Sequence, residues 1–193
     1  MIKIKNCALF GGTFDPFHNG HLHLIRSLLA TKKFDGFVVI PAGNPYQKTT
    51  QTSGAHRIEM ARLALQGLAV EISDCEVRRS GSSYAIDTVK ELKDKFPAER
   101  YTWVIGTDAF AGLATWESFE ELISIIDFLV VIRPGTARPQ RIPGVRYEEI
   151  EIGALDISST IVRNHLRSQK DVTGLIPEPV VAYIKENSLY GAA

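Results

Sequence analysis

The chain has 193 residues, 45% of them hydrophobic and 23% charged, which predicts one globular domain able to bury roughly 70% of its unfolded surface. Lysine plus arginine equals aspartate plus glutamate at 22 each; a broad nucleic-acid-binding face would leave a basic excess, so the better expectation is a small anionic ligand held by a local cationic cluster. Cys7 and Cys75 form no CxxC, the N-terminal MIKIKNCALFGG lacks a signal-peptide h-region, and the apolar stretch 122–132 is interrupted by Ser124 and Asp127, which together exclude a disulfide scaffold and a membrane span and predict a cytoplasmic protein.

In chain order, residues 4–10 are an apolar run ending at Gly11-Gly12, a strand entering a tight turn. Leu22, Ile25 and Leu29 then recur at helical spacing. Residues 37–40 form a second apolar run, stopped by Pro41. Ile58, Ala61 and Leu65 mark a further helix face, residues 70–72 a short strand, and Ile86, Val89 and Leu92 a helix with a polar far side. Residues 102–105 read as a strand ending at Gly106, 119–125 as a helix, and 128–132 as a strand stopped by Pro134-Gly135. The Pro-, Arg- and Gly-rich stretch 135–144 reads as a surface loop, and Arg133, Arg138 and Arg141 as solvated rather than phosphate-binding. Helices follow Ser158 and Pro179, giving a C-terminal helical portion from about residue 156. The flanking glycines and prolines arbitrate the short runs. Strands alternating with helices imply the α/β class: one domain, 1–193, built on a doubly wound parallel sheet with right-handed crossovers. Ligands then sit beyond the carboxyl ends of the strands, which places active residues just after Phe10, Ile40 and Ile105.

The string GGTFDPFHNGH, residues 11–21, follows the first strand directly. Gly11 and Gly12 allow close backbone approach to a ligand and angles closed to other residues. Asp15-Pro16 is a turn pair. Asn19 is placed to cap a helix starting near Gly20, whose free N–H groups form an anion site. His18 and His21 lie on the approach to it, each able to donate to phosphate oxygens. A metal is the disfavoured reading of His18, His21 and His23, because zinc wants three or four ligands on one centre and residues two apart do not share a helix face. The string is neither GxGxxG nor GxxxxGK[ST].

A second string, ISSTIVR, opens a helix after Asp156. Ser158 or Ser159 is its N-cap, and Arg163 can fold back to the same end to offer a bidentate phosphate contact. On its own the string reads equally as an ordinary capped helix; beside the first motif the phosphate reading prevails. Lys48, alone in its loop, reads as solvated. Asp108, after Gly106-Thr107, is a ribose acceptor or a helix N-cap in equal measure. Trp116, between two helical stretches, reads as core.

The first string resembles the signature of the HxGH nucleotidylyltransferases, with HNGH at residues 18–21, and in its longer form is similar to that of bacterial nicotinate-mononucleotide adenylyltransferases. ISSTIVR resembles their second signature, SSTxxR. The likeness runs on through RPG at 133–135 to the terminal VVAYIKENSLY and covers nearly the whole chain. It implies a Rossmann-like nucleotidylyltransferase fold and direct transfer of the adenylyl group of ATP to nicotinate mononucleotide, with Mg2+ carried by the ATP. It implies that His18, His21, Lys48 and Arg163 are the catalytic set and that Ser158, Ser159 and Thr160 hold the β- and γ-phosphates. Gly11, Gly12, Thr13, Phe14, Gly106 and Asp108 would surround the nucleotide, and Tyr84, Ala85 and Trp116 the pyridine, with Trp116 stacked on the ring. Ala85 stands where the pattern has threonine, and Tyr46-Gln47 where it has Pro-His. A pantetheine-phosphate adenylyltransferase, a cytidylyltransferase and a catalytically silent nucleotide sensor are the rival expectations. Association into homo-oligomers is left open.

Overall fold

The apolar run that opens the chain becomes β1 (Ile4–Gly12), a central strand in the computed structural model, which describes residues 4–45, 49–153 and 155–192. Around it lie β2 (Gly36–Pro41), β3 (Glu71–Ile72), β4 (Ala98–Gly106), β5 (Asp127–Ile132) and β6 (Tyr147–Glu151), paired in the order β3-β2-β1-β4-β5-β6. Every pairing is parallel, with Leu9 opposite Val38 on one side and Trp103 on the other. The chain winds outward from β1 to β3, returns to β4, and winds outward again. That reversal opens a crevice between β1 and β4, the ligand position of a doubly wound sheet.

Period-two alternation along the strands divides the core into two layers. Ala8, Val39, Val104 and Leu129 face one side, where α1 (Asn19–Ala30), α2 (Gly54–Ala64), α7 (Ser159–Arg167) and α8 (Glu178–Glu186) cover them with Leu22, Ile25, Met60, Val162 and Val180. Cys7, Leu9, Trp103 and Val130 face the other side, under α4 (Ala85–Lys95) and α6 (Phe119–Ile125), which contribute Ile86, Val89, Leu92 and Leu122. Leu22, Ile25 and Leu28 show why α1 lies where it does: a three-residue spacing puts all three on one buried stripe. No helix among the described residues is long and apolar enough to cross a membrane.

The structure departs from the sequence reading where polar residues build regular elements. β6 (YEEIE) is an edge strand with a largely solvated surface, so it carries no apolar run. β4 starts at Ala98 rather than Thr102, because its first turn-side residues Glu99 and Arg100 are exposed. Two short helices, α3 (Cys75–Arg78) and α5 (Thr107–Ala111), have too few residues to show a period. Pro179 is the second residue of α8, not its predecessor, and Pro177 is the cap.

Candidate active site

A cavity of about 660 Å3 opens over the carboxyl ends of β1, β4 and β5, with Phe10, Ile105 and Val131 in its walls. The first motif contributes Thr13, Asp15, His18 and His21, and the second contributes Ser158, Ser159, Thr160 and Arg163. Two strings from opposite ends of the chain therefore share one enclosure. They are also tied together. Ser159 Oγ donates to the Pro16 carbonyl at 3.0 Å, and Arg163 Nη1 donates to the Asp15 carbonyl at 2.7 Å.

The glycines of the first motif act through space rather than through unusual torsion angles. A Cβ on Gly11 would lie 2.8 Å from the Trp103 ring, and one on Gly12 would lie 2.6 Å from the Phe14 ring. Alternation sends the two positions to opposite faces, so each glycine opens room on one side of β1. The left-handed backbone falls instead on Phe14, at φ 52°. The Asp15–Pro16 peptide is cis. Phe14 is buried, and its ring meets that of His21 edge-on at 4.9 Å.

Asn19 does not cap α1. His18 occupies that position in extended conformation, and the Asn19 side chain donates to the Gly174 carbonyl at 2.8 Å. The His18 backbone N–H donates to His21 Nδ1 at 3.2 Å. This leaves Nε2 to carry the proton of a neutral His21 ring. The two imidazoles stack at 3.6 Å. A Cβ on Gly20 would come within 3.0 Å of the His18 ring, so the glycine between the histidines keeps that ring in place.

His18 is 6% exposed, and its Nδ1 is buried with no hydrogen-bond partner. Burial, reinforced by the positive charge of Arg133, pulls its pKa from 6.5 down to about 4. The ring is neutral at pH 7 and acts as a dipolar donor or acceptor. Its pKa is depressed on folding, so the unfolded chain takes up this proton first. Stability is then complete above pH 6.5 and is lost as pH falls toward 4, by at most about 3 kcal/mol. Denaturation midpoints measured from pH 7 to pH 4.5 should fall more steeply for the parent chain than for His18→Gln. Parallel curves would refute the depressed pKa.

In the second motif, Ser158 caps α7, its Oγ accepting from Ile161 N at 3.2 Å. The Ser159 hydroxyl is committed to Pro16, as above. Thr160 Oγ1 accepts from Arg163 Nη2 at 3.2 Å, which aims the guanidinium back over the helix end. Arg163 Nε is buried with no partner. His18, His21 and Arg163 thus line one cavity beside the N-terminus of α7, a cluster of donors suited to an anion.

The remaining predicted residues fall in two places. Gly106 lines the cavity and is the N-cap of α5, while Asp108 is exposed in the first turn of that helix, so it is not the cap. Gly11, Gly12 and Phe14 support the wall without lining it. Tyr84, Ala85 and Trp116 pack against the other core layer, across the sheet. Tyr84 caps α4 and Ala85 begins it. Trp116 is half-buried and stands edge-on to Trp103, with ring centroids 6.1 Å apart, and Trp103 fills the room left by Gly11. Lys48 lies outside the described residues. No group of three or more histidine, cysteine, aspartate or glutamate side chains that could hold a metal ion occurs among the described residues.

Three residues were missed or misread from sequence. Arg133 is exposed in a loop, as the sequence reading expects, but it also lines the cavity; its place directly after the β5 run is the available signal. Arg138 does stay out of the cavity and pairs with Glu149 at 2.6 Å. Arg57 is 1% exposed and donates to the carbonyls of Thr13, Ala42 and Gly43, pinning the loops that follow β1 and β2. Its spacing with Ala61 and Ala64, four and seven residues on, already put it on the buried face of α2. Asp15, read as a turn residue, is 2% exposed and a hub. Its Oδ2 accepts from Gln51 N at 2.7 Å, and its Oδ1 from the Thr52 hydroxyl at 2.7 Å and the Tyr190 hydroxyl at 2.6 Å.

Comparison with known proteins agrees with this geometry. Residues 9–165 match the cytidylyltransferase-like family model. A probable nicotinate-nucleotide adenylyltransferase of Oceanobacillus iheyensis is 34% identical over 190 residues, covering 97% of this chain and 98% of the relative. The nicotinate-nucleotide adenylyltransferase of Bacillus subtilis is 35% identical over 190 residues, covering 97% and 99%. The structure of Plasmodium falciparum nicotinic acid mononucleotide adenylyltransferase complexed with NaAD shares the fold, with a TM-score of 0.81 at 21% identity over 98% of each chain. With both signature strings lining one cavity at the switch point of the sheet, and with relatives of this identity along their full length, the chain belongs to the nicotinate-nucleotide adenylyltransferase family.

Proposed function

We infer that this chain transfers the adenylyl group of ATP to nicotinate mononucleotide, forming deamido-NAD and releasing pyrophosphate. The observation that carries the reading is the shared cavity lined by His18, His21 and Arg163 together. The attacking group is a phosphate monoester whose second pKa is about 6, so it is already a dianion near neutral pH and needs no general base. The task left to the protein is to bring two anions together and to stabilise the departing pyrophosphate, which is done by position and charge.

In this reading His18 and His21 donate to the triphosphate, Arg163 and Arg133 neutralise it, and Lys48 closes the cationic set. Ser158 and Thr160 sit at the α7 N-terminus, whose free N–H groups favour the same anion. A bound polyphosphate would draw the His18 pKa back upward, because a nearby negative charge favours the imidazolium. Asp15 is the one carboxylate among the described cavity-lining residues, and both of its oxygens are engaged. That donor set fits a triphosphate that brings its own Mg2+, which lends further positive charge to the phosphates as part of the substrate. Gly106 and Asp108 would face the adenosine, while Tyr84, Ala85 and Trp116 would receive the pyridine on the far side of β1, with Gly11, Gly12, Thr13 and Phe14 shaping the passage between. In-line displacement joins the nicotinate mononucleotide phosphate to the α-phosphorus as the bond to the β-phosphate oxygen breaks.

The test is pyrophosphate release with ATP and either nicotinate or nicotinamide mononucleotide. Turnover is expected with the first and markedly less with the second; equal rates, or none with either, would overturn the reading. Trp116→Ala should raise KM for nicotinate mononucleotide about tenfold, the scale of an aromatic stack, while KM for ATP stays within about twofold. A melt that collapses to the assay temperature would instead make Trp116 a core residue only.

A further inference from the structure

We propose that Tyr190, outside both signature strings, is a positioning residue of the triphosphate cleft and acts through Asp15. The proposal rests on the reading of His18 and Arg163 as triphosphate ligands. Tyr190 lies in a single 3-10 turn, Leu189–Gly191, just beyond α8, and is 8% exposed. Three residues of this short tail, Ser188, Tyr190 and Gly191, have φ of 50°, 57° and 75°. Left-handed backbone at a bulky residue such as tyrosine is uncommon and persists only where the surroundings over-determine it. Here it turns the phenol inward. The hydroxyl donates to Asp15 Oδ1 at 2.6 Å, lies 3.3 Å from Thr52 Oγ1 and sits 4.0 Å from Met60 Sδ.

Asp15 links this tail to the site. Its carboxylate receives Tyr190, Thr52 and the Gln51 N–H, while its carbonyl receives Arg163 Nη1 at 2.7 Å. Three residues further on is His18, and the intervening Pro16 carbonyl holds Ser159. One residue therefore has the C-terminal tail on its side chain and the triphosphate arginine on its backbone. Burial and the adjacent carboxylate push the Tyr190 phenol well above its ordinary pKa, so it stays protonated and remains a donor. Removing the hydroxyl takes a charge-assisted bond from a buried carboxylate, and the Asp15 peptide that orients Arg163 loses its register. Rate in such a site is sensitive to small displacements of this kind.

The experiment is a double-mutant cycle on the full-length chain, with steady-state kinetics at 25 °C and a thermal melt of each variant. Tyr190→Phe should lower kcat/KM for ATP about tenfold, the scale of a hydrogen bond to a charged group, with KM for nicotinate mononucleotide changed less than about twofold. In an Arg163→Ala background the same substitution should cost less than about twofold, because the group it positions is gone. A full tenfold loss in both backgrounds, or a lowered melt with kcat/KM unchanged, would overturn the proposal. If Arg163→Ala leaves kcat/KM for ATP untouched, the cleft reading itself fails and this proposal falls with it. If only Tyr190→Phe is silent, the cleft stands and the positioning role does not. Should Tyr190→Phe melt near the assay temperature, Thr52→Val removes the other hydroxyl from the same carboxylate oxygen and takes its place in the cycle.

Discussion

Replacing His18 or His21 with alanine is expected to lower kcat by a hundredfold or more, with the melting temperature kept within a few degrees. Loss of one donor aimed at developing charge typically costs about 10²–10³ in rate. The two rings are not equivalent. His21 receives the His18 backbone N–H on Nδ1, so its Nε2–H is held in a defined direction by the start of α1. His18 is buried, neutral and stacked on its partner at 3.6 Å, with Nδ1 unpartnered. Losing His21 frees the His18 backbone donor as well, so His21→Ala should be the more damaging to rate. His18→Ala removes a group whose burial opposes stability at low pH, and it should melt at a higher temperature than His21→Ala near pH 5. Steady-state kinetics of both variants decide the matter. A kcat within fivefold of the parent for each would remove these residues from the mechanism.

The largest effect on stability is expected at Arg57. Its guanidinium is buried and holds the carbonyls of Thr13, Ala42 and Gly43, the exit points of β1 and β2. Burial lowers its pKa from the ordinary value, opposed most by the carboxylate of Asp15. Arg57→Ala removes three charge-assisted bonds, leaves three carbonyls without that donor and opens a void in a layer containing Met60 and Ala61. The combined cost is about 3–5 kcal/mol, which for a domain of this size lowers the melting temperature by about 10 °C. Arg57→Lys keeps the charge but cannot present a planar fork to three acceptors, and should recover less than half of the loss. A melting temperature within about 3 °C of the parent for Arg57→Ala, read by calorimetry, would show that the carbonyls find other partners at little cost.

Much of the fold lay in local pattern. The apolar runs before Gly11, Pro41, Gly106 and Pro134 became β1, β2, β4 and β5, and the Ser158 cap opens α7 as its sequence predicts. Such features follow from burial periodicity and from which residues satisfy a helix end, and both operate within a few positions of the chain. The two signature strings could be read in the same way, since each is a compact set of donors at the start of a helix. Which residue does what within those strings was decided elsewhere. Gly11 is needed for room beside Trp103, a ring carried by β4. His18 displaced Asn19 as the cap because the Asn19 side chain is drawn to the carbonyl of Gly174, a residue remote in the chain. Arg133 entered the cavity because β5 ends beside β4 at the crevice, and the polar β6 formed because β5 offered it an unpaired edge. The contact of Tyr190 with Asp15 spans 175 positions. A hydrogen bond of that reach leaves no local trace in composition or spacing. It exists only once packing has brought the C-terminal tail, the loop after β1 and the start of α7 to the same end of the sheet.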